Sequence, residues 1–566
     1  MSDTTTSQID LQPLSSPPLT LLSAKDQNTA NTFVTPTPQS ESNSNSRDGI
    51  QPQESPLSSP TQLPQPKTTS YVSNPRRANF IIAQLTLVIS MASISTGLIT
   101  TSIPRIALDL SIPPQTSYWP LSVYGLTSGA CLLVSGAIAD VVGSKRVFSA
   151  GTLLLSAFVL GCGFARTNIQ IVMFRAMQGI AVALCLPSSV GILARSITPG
   201  RRRNFAFACT GLGQILGYFA GLLFGGLFID TVGWRVGWYV VSAVLVALFA
   251  AGCYLLPADG TPNADTEETG SDGVKVMRAL RKQVDWIGAG IASAALALLA
   301  YALVQLSNNS ESAIRTPGIV AMLVLSLGVL MPAFGVWMHV AQRKGYPALI
   351  PNRLWKQPAF VGVCVMVLLS YAVMQTMELF CTLFFQHVQG LSAMQSSVRM
   401  VPAMIMATLL VLTTGLFIHR VSPVYLVLPT SLLCAGAPLL MALNRPEWPY
   451  WYAAFPAQVL QPMSADVLFS VGLIVVSEVF SDDTQSLAGA VFNTAGQFGT
   501  SIGLALIGIV SETFTQRSRH PDKTSPEALL DGYRAAFWTA FGWMLMIGVV
   551  ALVSLRKVDR VGVKRD

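Results

Sequence analysis

Residues 119–146 read WPLSVYGLTSGACLLVSGAIADVVGSKR. The first part of this stretch, 119–139, contains no Asp, Glu, Lys or Arg. A helix of about 20 mostly apolar residues is long enough to cross the hydrocarbon core of a bilayer. A short turn that carries Lys145 and Arg146 follows. The pattern predicts a membrane-spanning helix that ends at a cationic turn.

The same pattern recurs along the whole chain. Charged residues make up 11% of the sequence, against about 25% in an average soluble domain, and the mean hydropathy is +0.51. We predict fourteen membrane spans, near residues 80–101, 119–139, 147–165, 169–194, 205–229, 236–256, 286–306, 318–341, 359–383, 400–419, 424–443, 452–477, 486–510 and 534–555. The predicted fold class is therefore an all-α polytopic membrane protein.

The distribution of Lys and Arg predicts the orientation, because these residues are enriched in cytoplasmic connections. With the first tail inside, the inner connections carry 22 of them and the outer connections 10. We expect both termini in the cytoplasm and a location in the plasma membrane, with the vacuolar membrane as the alternative. The net charge of +8 follows from this topology, so no nucleic-acid partner is expected; the expected partners are the lipid bilayer, a small-molecule substrate and protons.

The spans and their connections predict six regions. The first 75 residues are rich in Ser, Thr, Pro and Gln, a composition that does not bury enough surface to fold. The loop after span six contains a basic amphipathic segment at 274–284, suited to the membrane surface. The regions are a disordered cytoplasmic tail (1–75), a six-helix bundle (76–256), a cytoplasmic loop (257–285), two additional transmembrane helices (286–341), a second six-helix bundle (359–555) and a cytoplasmic tail (556–566).

No metal site, cofactor or enzymatic activity is predicted. The eight cysteines fall inside predicted spans and the four histidines are scattered, so neither shows a metal-ligand spacing. A glycine-rich phosphate loop ending in Lys-Ser/Thr is absent from the sequence, which excludes an ATP-driven pump on this chain alone. One glycosylation sequon, Asn308-Asn309-Ser310, falls in a predicted outer loop, so we expect a glycoprotein.

The two six-span blocks resemble each other at a nearly constant offset. Gly213-Gln214 matches Gly496-Gln497, and Gln178-Gly179 matches Gln461-Pro462, both displaced by 283 residues. Two similar halves are a recurrent transporter architecture with the substrate site at their interface near mid-bilayer. A transporter with an internal repeat is therefore predicted.

Small and polar residues within the spans admit more than one interpretation. Gly213, Gly217 and Gly221 lie four residues apart, which favours close helix packing over a nucleotide-binding loop. Asn493 and Gln497 form either interhelical hydrogen bonds or part of a cavity lining. The Met and aromatic residues of span nine, which include Tyr371, Met374 and Phe380, are expected to pack or to face lipid.

Two charged motifs stand out. The turn after span two is predicted to act as a conformational latch, because glycines allow close approach and opposite charges can hold one helix against another; its residues are Gly136, Asp140, Gly143, Lys145 and Arg146. In span four, Arg175 lies within the membrane, where a charge is costly. We expect Arg175 and the neighbouring Gln178 to face the central cavity, with a partner for the guanidinium.

These motifs resemble those of the major facilitator superfamily. The stretches that carry the resemblance are 136–146, 175–183, 234–235, 285–288, 385–392 and 485–494. With fourteen spans the chain is similar to the drug:proton antiporter branch, and 119–129 with Asp466 resembles its fungal aminotriazole-resistance-like group. The resemblance covers about 76–556 and implies two six-helix bundles plus two additional helices. It implies proton-coupled efflux of a drug, toxin or secondary metabolite; the alternatives are an importer of a nutrient or metal chelate and a transporter-like sensor.

Two positions depart from that branch. Where it often carries an Asp in span one this chain has Ser95, and where span five commonly has a Pro it has Tyr218. Adding the repeat offset of 283 to position 95 gives Glu378 in span nine. We therefore predict that Glu378 exchanges a proton or binds a cationic substrate group, with Asp466 as second candidate. The alternative is that Glu378 lies near the outer interface, paired with Arg399 or His387.

Overall fold

The computed structural model describes most of the chain between the two predicted tails, and the regular elements of the described residues are all helices. The described residues are 74–113, 117–198, 201–257, 280–281, 284–308, 316–346, 350, 352–417, 422–479 and 482–556. The tail 1–73, the terminus 557–566 and most of the amphipathic segment lie outside them.

Six long helices form the amino-terminal part. They are α1 (Pro75–Asp109), α2 (Trp119–Val142), α3 (Ser144–Phe164), α4 (Asn168–Ser196), α5 (Arg201–Thr231) and α6 (Trp234–Leu255). The side chains of Asn74 and Thr167 accept backbone hydrogen bonds at the starts of α1 and α4, which satisfies amides that the helix leaves free. Gly143 separates α2 from α3 at φ +109°, a conformation that favours glycine.

Eight further helices follow, two of them in two pieces. They are α7 (Trp286–Asn308), α8 (Pro317–Arg343, π-helical over Val324–Leu330), α9 (Pro358–Leu383, continued by the π-helical Phe384–Val388), α10 (Ala393–Arg399 and Val401–Phe417), α11 (Pro423–Leu443), α12 (Ala454–Leu460 and Met463–Val479), α13 (Asp482–Arg517) and α14 (Pro526–Ser554). A 3₁₀ turn, Asn352–Lys356, precedes α9.

Twelve of these helices are long and apolar enough to cross a membrane, within the described residues. The remaining two predicted spans correspond to α7, of which the apolar part Trp286–Leu299 is shorter, and to α12, which is interrupted at Gln461 and Pro462. The chain is thus a multi-pass helical membrane protein, and the count of fourteen spans stays a prediction. Asn308 is the last residue of α7, while Asn309 and Ser310 lie outside the described residues, so glycosylation also stays a prediction.

The two halves use the same helix pairs. In the first half α1 packs along α5, and in the second α9 packs along α13. Glycines make both contacts close: a Cβ on Gly217 would lie 2.5 Å from the Ser90 carbonyl oxygen, and one on Gly503 would lie 2.6 Å from the Ala372 Cα. Gly213 and Gly221 of α5 face α1 in the same way. The repeat detected in the sequence therefore corresponds to two bundles with equivalent packing.

The two additional helices join the bundles from one side. Helix α7 contacts both α2 and α13, and α8 packs mainly on α7. Asp285 accepts hydrogen bonds from the Gly288 amide (2.8 Å) and from Trp337 Nε1 of α8 (2.9 Å). Among the large apolar side chains of α8 only Ile319 and Met338 are buried, as expected of a helix that faces lipid.

The bundles touch along α2 with α13 and along α5 with α10. We call the end where α1 begins the predicted cytoplasmic end, and the opposite end the predicted outer end. Within the described part of the chain, inter-bundle hydrogen bonds at the predicted outer end join Gln386 to the Thr101 carbonyl, Ser397 to the Leu222 carbonyl, the Met394 amide to Asp230, and Ser501 to the Ser122 carbonyl. The predicted outer end is therefore closed.

Candidate functional site

A cavity of about 380 Å³ lies between the two bundles. Helices α1, α2, α4 and α5 line it from one bundle, and α9, α10, α12 and α13 from the other. Its lining on α1 runs from Thr96 back to Val88, and on α5 from Tyr218 back to Phe207. The cavity therefore extends from the middle of the helices towards the predicted cytoplasmic end, which is an inward-facing arrangement in the predicted topology.

Two carboxyl groups line this mostly apolar cavity. Glu378 on α9 is 5% exposed, and Asp466 lies in the first turn of the second piece of α12. The two are close enough for their charges to interact. Among the described lining residues there is no Lys, Arg or His. Burial of an ionised carboxyl without a cation is costly, so a proton or a cationic substrate group would stabilise either side chain here.

Tyr218 connects Glu378 to the opposite bundle. Its hydroxyl is hydrogen-bonded to the Glu378 carboxyl and lies 3.4 Å from Thr100 Oγ1 on α1. The alternative partners proposed for Glu378 are engaged elsewhere: Arg399 donates to Gln389, and His387 Nδ1 lies 3.1 Å from the Tyr533 hydroxyl. Glu378 faces the cavity and does not lie at the outer interface.

The residues that line the cavity show that the repeat counterpart of Glu378 is not Ser95, as the sequence offset predicted. Four positions of α1 line the cavity at the same register as four of α9, and the common offset is 282: Ile89, Ala92, Ser93 and Thr96 against Tyr371, Met374, Gln375 and Glu378. The counterpart of Glu378 is thus Thr96. Ser95 points away from the cavity and donates to the Ala92 carbonyl at 2.7 Å.

Arg175 is buried and partnered, but it does not line the cavity as expected. Its Nε donates to the Pro120 carbonyl (3.0 Å), its Nη1 donates to Gln178 Oε1 (2.8 Å), and its guanidinium lies 4.2 Å from the centre of the Tyr124 ring. Tyr124 is the residue that lines the cavity. Gln178 points the other way and donates to the Phe158 carbonyl of α3. Both side chains therefore support the wall from behind.

The two polar candidates on α13, Asn493 and Gln497, lie on different faces of the helix. Gln497 lines the cavity opposite Gln214, its repeat counterpart, whereas Asn493 donates to the Gly489 carbonyl of its own helix. Tyr371 and Met374 line the cavity, which corrects the expectation that they only pack or face lipid. Their spacing of three residues, continued by Glu378, is the helical signal that could have indicated a shared face.

Two buried amides in the lining were not anticipated. Gln461 Oε1 has no hydrogen-bond partner within the described structure, whereas the Gln375 amide is hydrogen-bonded to the Tyr218 hydroxyl. Both residues line the cavity. Gln461 is placed there by the break before Pro462, which has no amide hydrogen to continue the helix. The unpaired buried acceptor of Gln461 is available to a substrate.

The candidate latch lies apart from the cavity, at the predicted cytoplasmic end. Asp140 forms an ion pair of 3.2 Å with Arg195 of α4, a partner outside the predicted turn. Lys145 Nζ donates to the carbonyls of Cys253 (3.2 Å) and Leu256 (2.8 Å) at the end of α6. A Cβ added at Gly136 would lie 3.7 Å from the Pro187 Cβ of α4. The turn thus connects α2 to α4 and α3 to α6.

The chain is similar in sequence to known proteins over most of its length. The chain is 35% identical over 524 residues to MFS-type transporter 1 of Pyricularia oryzae, covering 86% of this chain and 85% of that protein. It is 24% identical to the low affinity ammonium transporter of Saccharomyces cerevisiae (75% and 78% covered). It is 28% identical to the puromycin resistance protein pur8 of Streptomyces alboniger (80% and 86% covered).

The fold is also found among solved structures. A bacterial homologue of the human lysosomal transporter Spinster, in an inward-facing and unoccupied conformation, aligns with a TM-score of 0.58 at 14% identity, over 85% of this chain and 98% of that one. The sequence profile of the Major Facilitator Superfamily matches residues 85–444. With two helical bundles around a central cavity, this membrane transporter belongs to the Major Facilitator Superfamily.

Proposed function

We propose that this transporter exports a small molecule from the cytoplasm in exchange for protons, at the plasma membrane and with both termini cytoplasmic. The observation that carries the proposal is the pair of carboxyl groups, Glu378 and Asp466, in a cavity whose described lining contains no basic side chain. A carboxyl that is stable there only when neutralised can bind either a proton or a substrate cation. Competition between the two is what exchange requires.

The arrangement supports a cycle of alternating access. In the inward-facing state the substrate enters from the predicted cytoplasmic end and contacts the apolar and aromatic wall. The unpaired amide oxygen of Gln461 orients its polar groups. The bundles then rotate against each other about the central site, and a proton that enters from outside displaces the substrate from the carboxyls.

The relatives support export without naming the cargo. A relative called a puromycin resistance protein fits removal of a compound from the cell, whereas the name of the ammonium transporter gives no direction, so uptake stays the alternative. Untargeted metabolite profiling of cells and medium, with and without the gene, distinguishes the two. Export predicts that the cargo accumulates inside cells that lack the gene. Depletion inside those cells would establish import.

Proton coupling is tested with the compound found in this way. Glu378→Gln keeps the shape of the side chain and removes its titration, so transport into inside-out vesicles should lose its dependence on the pH gradient while the protein is still inserted. Glu527→Gln, on an exposed residue at the start of α14, is the matched control and should behave as wild type. Full pH dependence in Glu378→Gln with loss in Asp466→Asn would assign the role to Asp466; full dependence in both would contradict proton coupling.

A further inference from the structure

The hydrogen bond between Tyr218 and Glu378 lies where the open cavity meets the closed outer end. Tyr218 belongs to α5 and Glu378 to α9, so the bond crosses from one bundle to the other. Beyond it, towards the predicted outer end, Ser397 of α10 donates to the Leu222 carbonyl of α5 at 2.7 Å. Outward opening must separate α5 from the second bundle, and therefore must break the Tyr218–Glu378 bond.

The strength of this bond depends on the charge of Glu378. An ionised carboxylate only accepts hydrogen bonds, so it takes the Tyr218 hydrogen in a charge-assisted bond, which is roughly twice as strong as a neutral one. A protonated Glu378 donates to Tyr218 instead, and Tyr218 then donates to Thr100 Oγ1, 3.4 Å away. Protonation therefore weakens the attachment between the bundles.

The other titratable groups around Glu378 do not provide an equivalent attachment. Asp466 of α12 is also acidic, Cys381 and Tyr371 lie on α9 itself, and Tyr124 of α2 and Cys185 of α4 line the cavity. The described lining contains no Lys, Arg or His. Tyr218 is thus the titratable side chain that is hydrogen-bonded to Glu378 from the opposite bundle.

We infer that Tyr218 prevents proton leakage: it holds the empty, deprotonated transporter inward-facing until a substrate displaces it from Glu378. An empty carrier that reorients without substrate would pick up a proton outside and release it inside, with no export. The charge-assisted bond hinders that step, whereas the protonated carrier keeps only the weaker neutral bond and the substrate-bound carrier has lost the bond, so both reorient more readily. This inference rests on the proposed function, and it explains why a hydroxyl occupies position 218.

The test measures proton flux without any substrate. The purified full-length chain is reconstituted in liposomes that contain the pH-sensitive dye pyranine, and the membrane potential is clamped with potassium and valinomycin. After a pH jump, Tyr218→Phe should conduct protons about tenfold faster than wild type, equivalent to about 1.4 kcal/mol. The leak should return to the wild-type rate in Tyr218→Phe combined with Glu378→Gln, because Glu378 carries the proton.

Tyr239→Phe is the matched control. The Tyr239 hydroxyl donates to the Gly163 carbonyl at 2.9 Å within the first bundle, so its loss should leave proton flux unchanged. Equal thermal unfolding temperatures for both variants and wild type show that each is folded. A wild-type leak in folded Tyr218→Phe would overturn the inference, as would a leak that persists when Glu378→Gln is added. The proposed function fails separately, if neither Glu378→Gln nor Asp466→Asn alters the pH dependence of transport.

Discussion

At the scale of single residues, Arg175 shows how a buried cation can serve a cavity that it does not touch. The guanidinium uses its planar shape to donate to two groups and to lie against Tyr124. Lysine offers a point charge and cannot reproduce this geometry. The position of the Tyr124 ring in the cavity wall therefore depends on the arginine behind it.

We predict that Arg175→Lys and Arg175→Ala both abolish or strongly reduce transport while the protein still reaches the membrane. Unsatisfied partners of the lost guanidinium, which include Gln178 and the Pro120 carbonyl, should also lower the free energy of unfolding by about 1–3 kcal/mol. Transport and thermal unfolding of the purified variants measure the two effects. Arg105→Ala, at a largely exposed ion pair on α1, is the control. Wild-type transport by Arg175→Lys would refute the requirement for a planar group.

Sequence reasoning identified Glu378, Asp466 and Gln497 as cavity candidates because polar residues within spans are few and the repeat supplied their counterparts. It failed for Arg175 and Gln178 because one residue along a helix rotates a side chain by about 100°. The need to bury a polar side chain does not by itself decide whether that side chain lies in the cavity or in the space between α2, α3 and α4. The same rotation explains why an offset of 283 indicated Ser95 where the structure indicates Thr96.

At the scale of elements, the contact of α1 with α5 depends on the absence of side chains at a few positions. We predict that Gly217→Ala destabilises the protein by about 1–3 kcal/mol, the usual range for overpacking, because its Cβ would lie 2.5 Å from a backbone oxygen of α1. Gly290→Ala is the control, since nothing lies within 4 Å of a Cβ at that position of α7. The measurement is thermal unfolding in detergent. Equal unfolding temperatures for the two variants would contradict the role of this contact.

A second prediction at this scale concerns the turn between α2 and α3. The Asp140–Arg195 pair is exposed, and such pairs contribute about 0–1 kcal/mol, so Asp140→Asn should leave the unfolding temperature nearly unchanged. If the pair holds α2 against α4 during reorientation, the variant should slow transport several-fold with substrate affinity retained. Arg195→Gln should slow it equally, and the double variant no further. A selective loss of substrate affinity with normal transport rates would contradict the latch interpretation.

Long apolar stretches predicted the helices well because span length and hydrophobicity are local properties. Irregularities within the spans are harder to predict from the sequence. The break of α12 at Gln461 and Pro462 and the π-helical parts of α8 and α9 depend on neighbouring helices that satisfy or replace backbone bonds, which a single sequence does not reveal. The break matters because it brings the Gln461 side chain to the cavity.

At the scale of the whole molecule, the hydrogen bonds at the predicted outer end and the cavity on the other side of them define one state of an alternating cycle. The Met394 amide donates to Asp230 at 3.0 Å across the closed end, so a short side chain at position 230 already reaches the backbone of the other bundle. Transport requires this contact to open once in every cycle.

We therefore predict that the double variant Asp230→Cys and Met394→Cys, once oxidised, loses transport completely, and that dithiothreitol restores it. The control pair, Ser518→Cys and Asp531→Cys, replaces a hydrogen bond of 2.7 Å within the second bundle, so its disulfide should leave transport intact. Mass spectrometry of the purified variants confirms that each crosslink has formed. Transport that continues with the 230–394 disulfide in place would mean that the two bundles do not separate at this end, and the cycle would need another exit for the substrate.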